Sequence, residues 1–448
     1  MDNKKLNIAY IGGGSMGWAR IFMKDLALEP DLSGEVRLYD IDYEAAKLNE
    51  QIGYHIGKDT HTVGIWSYIA VKTLEEALVG ADFVVISILP GSFQDMYSDV
   101  HLPERLGIYQ SVGDTAGPGG IIRALRTIPM YVEFAEAIKK YCPSAWVINY
   151  TNPMNLCIAT LYHIFPEIKA IGCCHEVFGT QELLTAMIEE ETGIRPTRQD
   201  IKTTVMGINH FTWITKATYN EEDLYSLFSK YAIKYYDTGY IVGPTPPDDY
   251  GFMCYNRVKF DLFNKYGVIA AAGDRHLAEF LPNSIYLKDE ATVRRWGFRL
   301  TTVDWRIKDQ ERKIIETKCI AEGKDEIDIV ASNEEGTLII KSLCGLTELT
   351  TNVILPNKDN QIENLPETAI VEANALFSKD SVTPLKAGLL PSGLYDLLIP
   401  HIENQQEILH AALEYDKNSV YAAFEREPLL QGYKSSDLKE LLLNGWIS

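Results

Sequence analysis

The sequence has no long apolar run, so nothing in its 448 residues approaches the ~20 that a membrane-spanning helix requires. It has no Lys/Arg run either. Its 42 basic residues against 62 acidic ones leave a formal charge of −20, and a field of that sign repels the phosphates of nucleic acid. The same field repels an acidic sugar, so a substrate of that kind requires arginines clustered in its pocket. Seven cysteines, odd in number and irregular in spacing, exclude a disulfide framework and read as reduced thiols. The start, Met1-Asp2-Asn3-Lys4-Lys5, runs directly into a strand pattern without a signal-peptide apolar region, which sets the expectation of a cytoplasmic protein. No internal repeat, low-complexity tract or Gly/Ser linker interrupts the chain, so its parts are expected to pack closely.

What is present is an ordinary globular composition, 46% apolar and 23% charged, over a length that favours two domains sharing an interface. Leu6 to Gly14 reads as a short apolar strand ending in glycines, and Trp18 to Leu28 follows with helical spacing. Strands are expected at Val36 to Tyr39, Phe83 to Ile88, Trp146 to Tyr150 and Ala170 to Cys173, with a helix over Thr127 to Lys140. Unbroken apolar strands alternating with helices predict a doubly wound parallel sheet covered on both faces. Beyond about residue 190 the pattern shifts to longer helical stretches, around Asp223 to Tyr235 and Phe252 to Tyr266. The division expected is therefore residues 1–190 for the first domain and 191–448 for a second α/β domain, with the active site in the cleft between them.

Six segments carry chemistry. Gly12-Gly13-Gly14-Ser15-Met16-Gly17 matches G-x-G-x-x-G between a strand and a helix, and Asp40 ends the next strand. In that reading Gly12 makes the tight turn, Gly14 lets backbone approach a pyrophosphate, Gly17 permits close helix–sheet packing, and Asp40 accepts from a ribose hydroxyl, which favours NAD over NADP. The fold class is then α/β, a Rossmann-type doubly wound sheet with a second α/β domain, in the manner of lactate and malate dehydrogenases. Cys173-Cys174-His175-Glu176 ends a strand where such sheets place ligands; alone, these residues are as well explained by buried packing. Asn209-His210, set among apolar residues, offers Cys174 a distant metal-binding partner, although by itself His210 reads as a satisfied core histidine.

Asn152, in Asn149-Tyr150-Thr151-Asn152-Pro153, can contact hydroxyls or simply form a turn before proline. Gly113 to Gly120, followed by Arg123 and Arg126, is too glycine-rich for a helix and is expected to be a loop near phosphate or substrate. Gly273-Asp274-Arg275-His276 follows a small apolar run that suggests a buried approach to these charges, against the default of solvated surface.

The ordered set of these motifs resembles the NAD- and metal-dependent family-four glycoside hydrolases over essentially the whole length. The features are Ile-Gly-Gly-Gly-Ser at 11 to 15, Gly-Pro-Gly-Gly at 117 to 120, Asn-Tyr-Thr-Asn-Pro at 149 to 153, Cys-His at 174 and 175, Asn-His-Phe at 209 to 211 and Asn-Leu-Pro at 364 to 366. The tetrad Cys174-His175-Glu176-Val177 is similar to that of the α-galacturonidase subgroup. The resemblance implies NAD⁺ and Mn²⁺ or another divalent metal as cofactors, Cys174 and His210 as metal ligands, and Asn152 against the sugar. It implies Asp274, with a tyrosine as the alternative, as the base that removes the C2 proton, and His175 as general acid. Arg275, Arg123 or Arg126 is left as the bidentate partner of a uronic carboxylate. A homodimer or homotetramer acting on a small sugar, with no nucleic-acid or membrane partner, completes the expectation.

The family chemistry is transient oxidation at C3, deprotonation at C2, loss of the C1 substituent, addition of water and return of the hydride, so NAD is regenerated each turnover. The rival readings are another specificity in the same family (α-glucuronide or α-galactoside), a hydroxy-acid or sugar dehydrogenase that releases NADH, and a regulator that binds NAD without turnover.

Overall fold

A computed structural model describes residues 5–247 and 250–445. Short apolar segments form the strands β1 (Leu6–Ile11), β2 (Ser33–Tyr39), β3 (Ile65–Val71), β4 (Phe83–Ile86), β5 (Trp146–Asn149) and β6 (Lys169–Gly172). They lie parallel in the order β3-β2-β1-β4-β5-β6, with helices crossing between them. This is the doubly wound order, whose chain reversal between β1 and β4 opens a crevice at the strands' carboxyl ends. β4 is buried at every position, as its unbroken Phe-Val-Val-Ile predicts for a central strand. The sequence reading passed over β3. It is an edge strand whose burial comes and goes along its length, so its apolar residues make no unbroken run.

Past residue 190 come β7 (Lys202–Ile208), β8 (Phe211–Tyr219), β9 (Glu222–Asp223) and β10 (Ile269–Ala270), which form a small antiparallel sheet around β8. The strands β11 (Leu349–Pro356), β12 (Ile370–Ser378) and β13 (Ser381–Pro384) then return to the first sheet, pairing antiparallel outward from β6 and making it nine-stranded. The later half is therefore not a self-contained layer beside the first. One core cluster joins Ile8, Val36 and Val85 of the early strands to Ile339, Val353 and Phe377 of the late chain.

The glycine-rich segment also departs from expectation. Helix Gly117–Tyr141 begins inside it, with Pro118 near its N-terminus, where a missing N–H costs nothing. Gly119 and Gly120 are there for want of space: a Cβ on Gly120 would stand 2.5 Å from the Thr115 carbonyl carbon, and one on Gly119 would stand 2.9 Å from the Asp99 carbonyl oxygen. Among the described residues no helix is long and apolar enough to cross a membrane. All seven cysteines are free thiols.

Candidate active site

At the end of β1 the chain turns back on itself. Gly12, at φ +95°, and Gly13 both donate their N–H to the Tyr39 carbonyl, at 2.9 and 2.8 Å. A Cβ on Gly12 would lie 1.9 Å from the Ser87 carbonyl oxygen, and one on Gly13 would lie 2.7 Å from Leu38. Gly14 donates to Asp40 Oδ2 at 2.9 Å, which fixes the carboxylate that ends β2 at the turn's edge. Asn49, from helix Tyr43–Ile56, clamps the turn through the Gly13 and Ser15 carbonyls. Gly17 differs from its expected role: nothing lies within 4 Å of where its Cβ would be, so helix–sheet packing does not demand it. Gly13, to which no role was given, is one of the crowded positions. Beyond the turn, the N-terminus of helix Trp18–Ala27 faces the cleft, as an anionic pyrophosphate requires.

One cleft of about 2050 Å³ runs from Gly12, Gly14 and Asp40 past Asn152, Cys174 and His210 to Asp274 and Arg306. Drug-sized ligands occupy about 300–1,000 Å³, so this space accommodates a dinucleotide with a sugar beside it. Asn152, just past β5, donates through Nδ2 to Asp114 Oδ2 at 3.3 Å, while its side-chain amide oxygen Oδ1 is buried without a partner. Cys174 and His175 follow β6, and His210 sits in the turn between β7 and β8.

Asp114, His210 and His276 bring one ligand atom each to within 4.8 Å of one another, although they come from three distant segments. The two imidazole rings lie 4.0 Å apart, Thr115 Oγ1 is 3.3 Å from His210 Nδ1, and Glu176 reaches His276 at 3.5 Å. The Cys174 thiol lines the same cleft without being one of the three. His175 stacks on Trp18, with ring centroids 5.7 Å apart, and its Nδ1 lies 2.9 Å from Glu334 Oε1.

The electrostatics suit a cation. Burial, with His276's charge second, pushes His210 down to about 3, so its ring is neutral with a lone pair to give. Burial acts to raise Asp114, yet His276, Arg123 and His210 beside it outweigh burial and hold its carboxyl well below the usual range, because any proton that the two imidazoles take up is stabilised only while Asp114 is ionised. Burial and the neighbouring carboxylates of Glu372 and Glu176 push the Cys174 thiol well up, so a bound cation is what would make it a thiolate. Burial lowers His175, but the Glu334 hydrogen bond and the Glu176 and Glu334 charges leave it raised. A carboxylate, neutral imidazoles and a thiol are the donor types that hold a divalent transition ion, so the residues present fit the metal; the crowded glycine turn and Asp40 fit the nucleotide.

Asp274 is fully buried at the start of helix Asp274–Glu279; its Oδ1 accepts the Lys259 N–H at 3.0 Å and its Oδ2 has no partner. Arg275 and Arg123 line the cleft. Arg126 does not join them. Both of its terminal nitrogens bond Asp99, each at 3.0 Å, so its fork is already filled and it is unavailable to a sugar carboxylate.

Asp114 and His276 lay inside segments whose composition drew notice, but nothing assigned them as donors. Glu334, Glu372 and Arg306 carried no local signal, because their partners, His175, Asn209 and Asp114 among them, lie in distant segments.

A parallel-sheet crevice holding a glycine turn at one end and a buried donor cluster at the other defines an α/β enzyme working beside a nucleotide-type turn. The family 4 glycosyl hydrolase model matches residues 7–190 and the model of that family's C-terminal domain matches residues 205–430. The chain belongs to the family 4 glycosyl hydrolases. It is 56% identical over 439 residues to an alpha-galacturonidase of Lachnoclostridium phytofermentans (strain ATCC 700394 / DSM 18823 / ISDg), covering 98% of this chain and 94% of that one. The crystal structure of Bacillus subtilis lplD is 51% identical and superposes with a TM-score of 0.94, covering 98% of this chain and 99% of that one. A 6-phospho-alpha-glucosidase from gut microorganisms, solved with NAD and Mn2+, shares the fold at 20% identity with a TM-score of 0.77, over 98% of this chain and 97% of that one.

Proposed function

We propose that this enzyme hydrolyses α-galacturonides, using NAD⁺ in the glycine turn and a divalent ion, Mn²⁺, held by Cys174 and His210 with Asp114 and His276 in reach. The observation that carries the reading is one cleft in which the nucleotide turn, the donor cluster and unpartnered arginine nitrogens meet, in a protein whose overall charge is −20. The galacturonide comes from the relative that is 56% identical, and the two cofactors from the phospho-glucosidase of the same fold.

When bound, NAD⁺ and the metal supply transient oxidation at C3 and polarisation of the resulting ketone, which acidifies the hydrogen on C2. The chain's own groups do the rest. Asn152, with its bare side-chain oxygen Oδ1, orients a sugar hydroxyl. Asp274, with a bare carboxylate oxygen, takes the C2 proton. His175, braced by Trp18 and Glu334, donates a proton to the departing C1 oxygen. Arg275 pairs with the uronic carboxylate.

Incubation with NAD⁺, Mn²⁺ and a panel of digalacturonate, aryl galactosides, aryl glucuronides and 6-phospho-glucosides tests the reading. Galacturonate released without net NADH is expected, and in heavy water it carries deuterium at C2. Accumulating NADH, a preference for the phosphorylated sugars or galacturonate free of deuterium would each overturn it.

A further inference from the structure

Three guanidinium groups from three separate helices converge on one wall of the cleft. Arg123 belongs to helix Gly117–Tyr141, Arg275 to helix Asp274–Glu279, and Arg306 to the first turn of helix Val303–Ala321. Arg123 and Arg275 are 5% and 7% exposed, so both charges are out of water. Each still keeps an idle donor: Arg123 Nη1, Arg275 Nε and Arg306 Nε are buried without a partner. The hydrogen bonds that anchor these two guanidinium groups go to backbone, Arg123 Nε to the Asn152 carbonyl at 3.1 Å and Arg275 Nη2 to the Ser111 carbonyl at 2.9 Å. Arg306 and Arg275 both lie over the Phe252 ring, at 6.0 and 4.9 Å from its centroid, which gathers the two guanidinium groups around one aromatic side chain.

Asp114, Glu279 and Glu176 act on this corner, but none of them hydrogen-bonds the idle nitrogens. Arg306's charge pushes against both of the others, on top of the burial that already disfavours them. Asp114 is shared with His210 and His276, whose ligand atoms lie within 4.8 Å of its own. Glu279 accepts the N–H groups of Val112 and Gly113, at 2.6 and 2.9 Å, and burial pushes its carboxyl up to about 8, so near neutrality it brings little charge. Idle donors on buried like charges are costly unless an anion fills the space between them. A planar carboxylate matches guanidinium forks, and the donor cluster and Asn152 in the same cleft tie that anion to a sugar ring.

We propose that Arg306, with Arg275 and Arg123, forms the subsite for the C6 carboxylate of a hexuronide, and that Arg306 sets the preference for that carboxylate over an uncharged C6. The proposal rests on the reading of the enzyme as a galacturonide hydrolase. Arg306 is the discriminating member because its neighbours are anchored to backbone, whereas it is partly open to solvent.

The test is calorimetric titration of the NAD⁺- and Mn²⁺-loaded enzyme with galacturonate, galactose and galactose 6-phosphate. The wild type should bind galacturonate at least about tenfold more tightly than either other sugar. Arg306→Gln should weaken galacturonate by about 10- to 100-fold, the worth of a hydrogen bond to a charged group, and galactose by less than about threefold. Arg306→Lys keeps the charge without the fork; it should show a smaller loss and carries the test if the glutamine variant fails to fold. Equal losses for galacturonate and galactose, no loss in either variant, or a preference for galactose 6-phosphate would overturn the subsite. If digalacturonate is cleaved while galacturonate binding ignores Arg306, the subsite falls and the activity stands. If the wild type neither cleaves digalacturonate nor binds galacturonate, the activity falls and takes the subsite with it.

Discussion

Asp274 is held between two opposing influences. Burial pushes its carboxyl up, to about 6, while the Lys259 charge and the N–H groups at the start of helix Arg257–Tyr266 pull it back. A base must be ionised to accept a proton, so kcat/KM should climb as pH rises from 5 to 7, with its inflection near 6. Asp274→Asn keeps the carbonyl oxygen that the Lys259 N–H uses and removes the basicity. Turnover should fall by about 10²- to 10⁴-fold with NAD⁺ affinity intact. A variant that keeps a tenth of the activity would move the base to another residue, with a tyrosine next in line. Cys174→Ser applies the same logic to the metal: turnover should no longer respond to Mn²⁺ while nucleotide fluorescence titrates as in the wild type. Activity retained at saturating metal would remove Cys174 from the ligand set.

At the scale of the element, the glycine turn shows how far a sequence pattern reaches. Gly12→Ala forces a Cβ against the Ser87 carbonyl at a positive φ, so the turn must move. The variant should lose NAD⁺ binding and melt earlier. Gly17→Ala meets open space and should shift the melting temperature by less than about 2 °C, which is what a change below about 1 kcal/mol produces in a chain this long. Differential scanning calorimetry of the pair separates the two glycines, which the pattern treats alike.

The turn, Asp40, Asn152, Cys174 and His210 were legible because each ends a strand or forms a strand turn, and that position is a local feature of sequence. The helix beginning at Gly117 was not, since Gly119 and Gly120 answer to Asp99 and Thr115 packed against them rather than to their own backbone freedom. Arg126 was misread for the same reason: its partner Asp99 lies in another helix, and nothing beside Arg126 in the chain announces a filled fork. The triad of Asp114, His210 and His276 exists only once three segments, 66 or more residues apart, have folded together.

The whole molecule carries one consequence that a two-domain division hides. The family models break between residues 190 and 205, which invites the view that the nucleotide-binding half stands alone. The sheet contradicts that independence. β6 would become a bare edge without β11, and the core cluster around Ile8 and Val36 would lose Ile320, Ile339, Ile340, Val353 and Phe377. An exposed apolar sheet face with an open edge aggregates rather than remaining in solution. A fragment of residues 1–190 should therefore fail to give a cooperative melt and should not bind NAD⁺, even though it contains the entire glycine turn and Asp40. Co-expression with residues 191–448 should restore both properties, because the late strands dock on β6 without needing the covalent link. A fragment that melts cooperatively and binds NAD⁺ alone would mean that the late strands decorate the nucleotide domain instead of completing it.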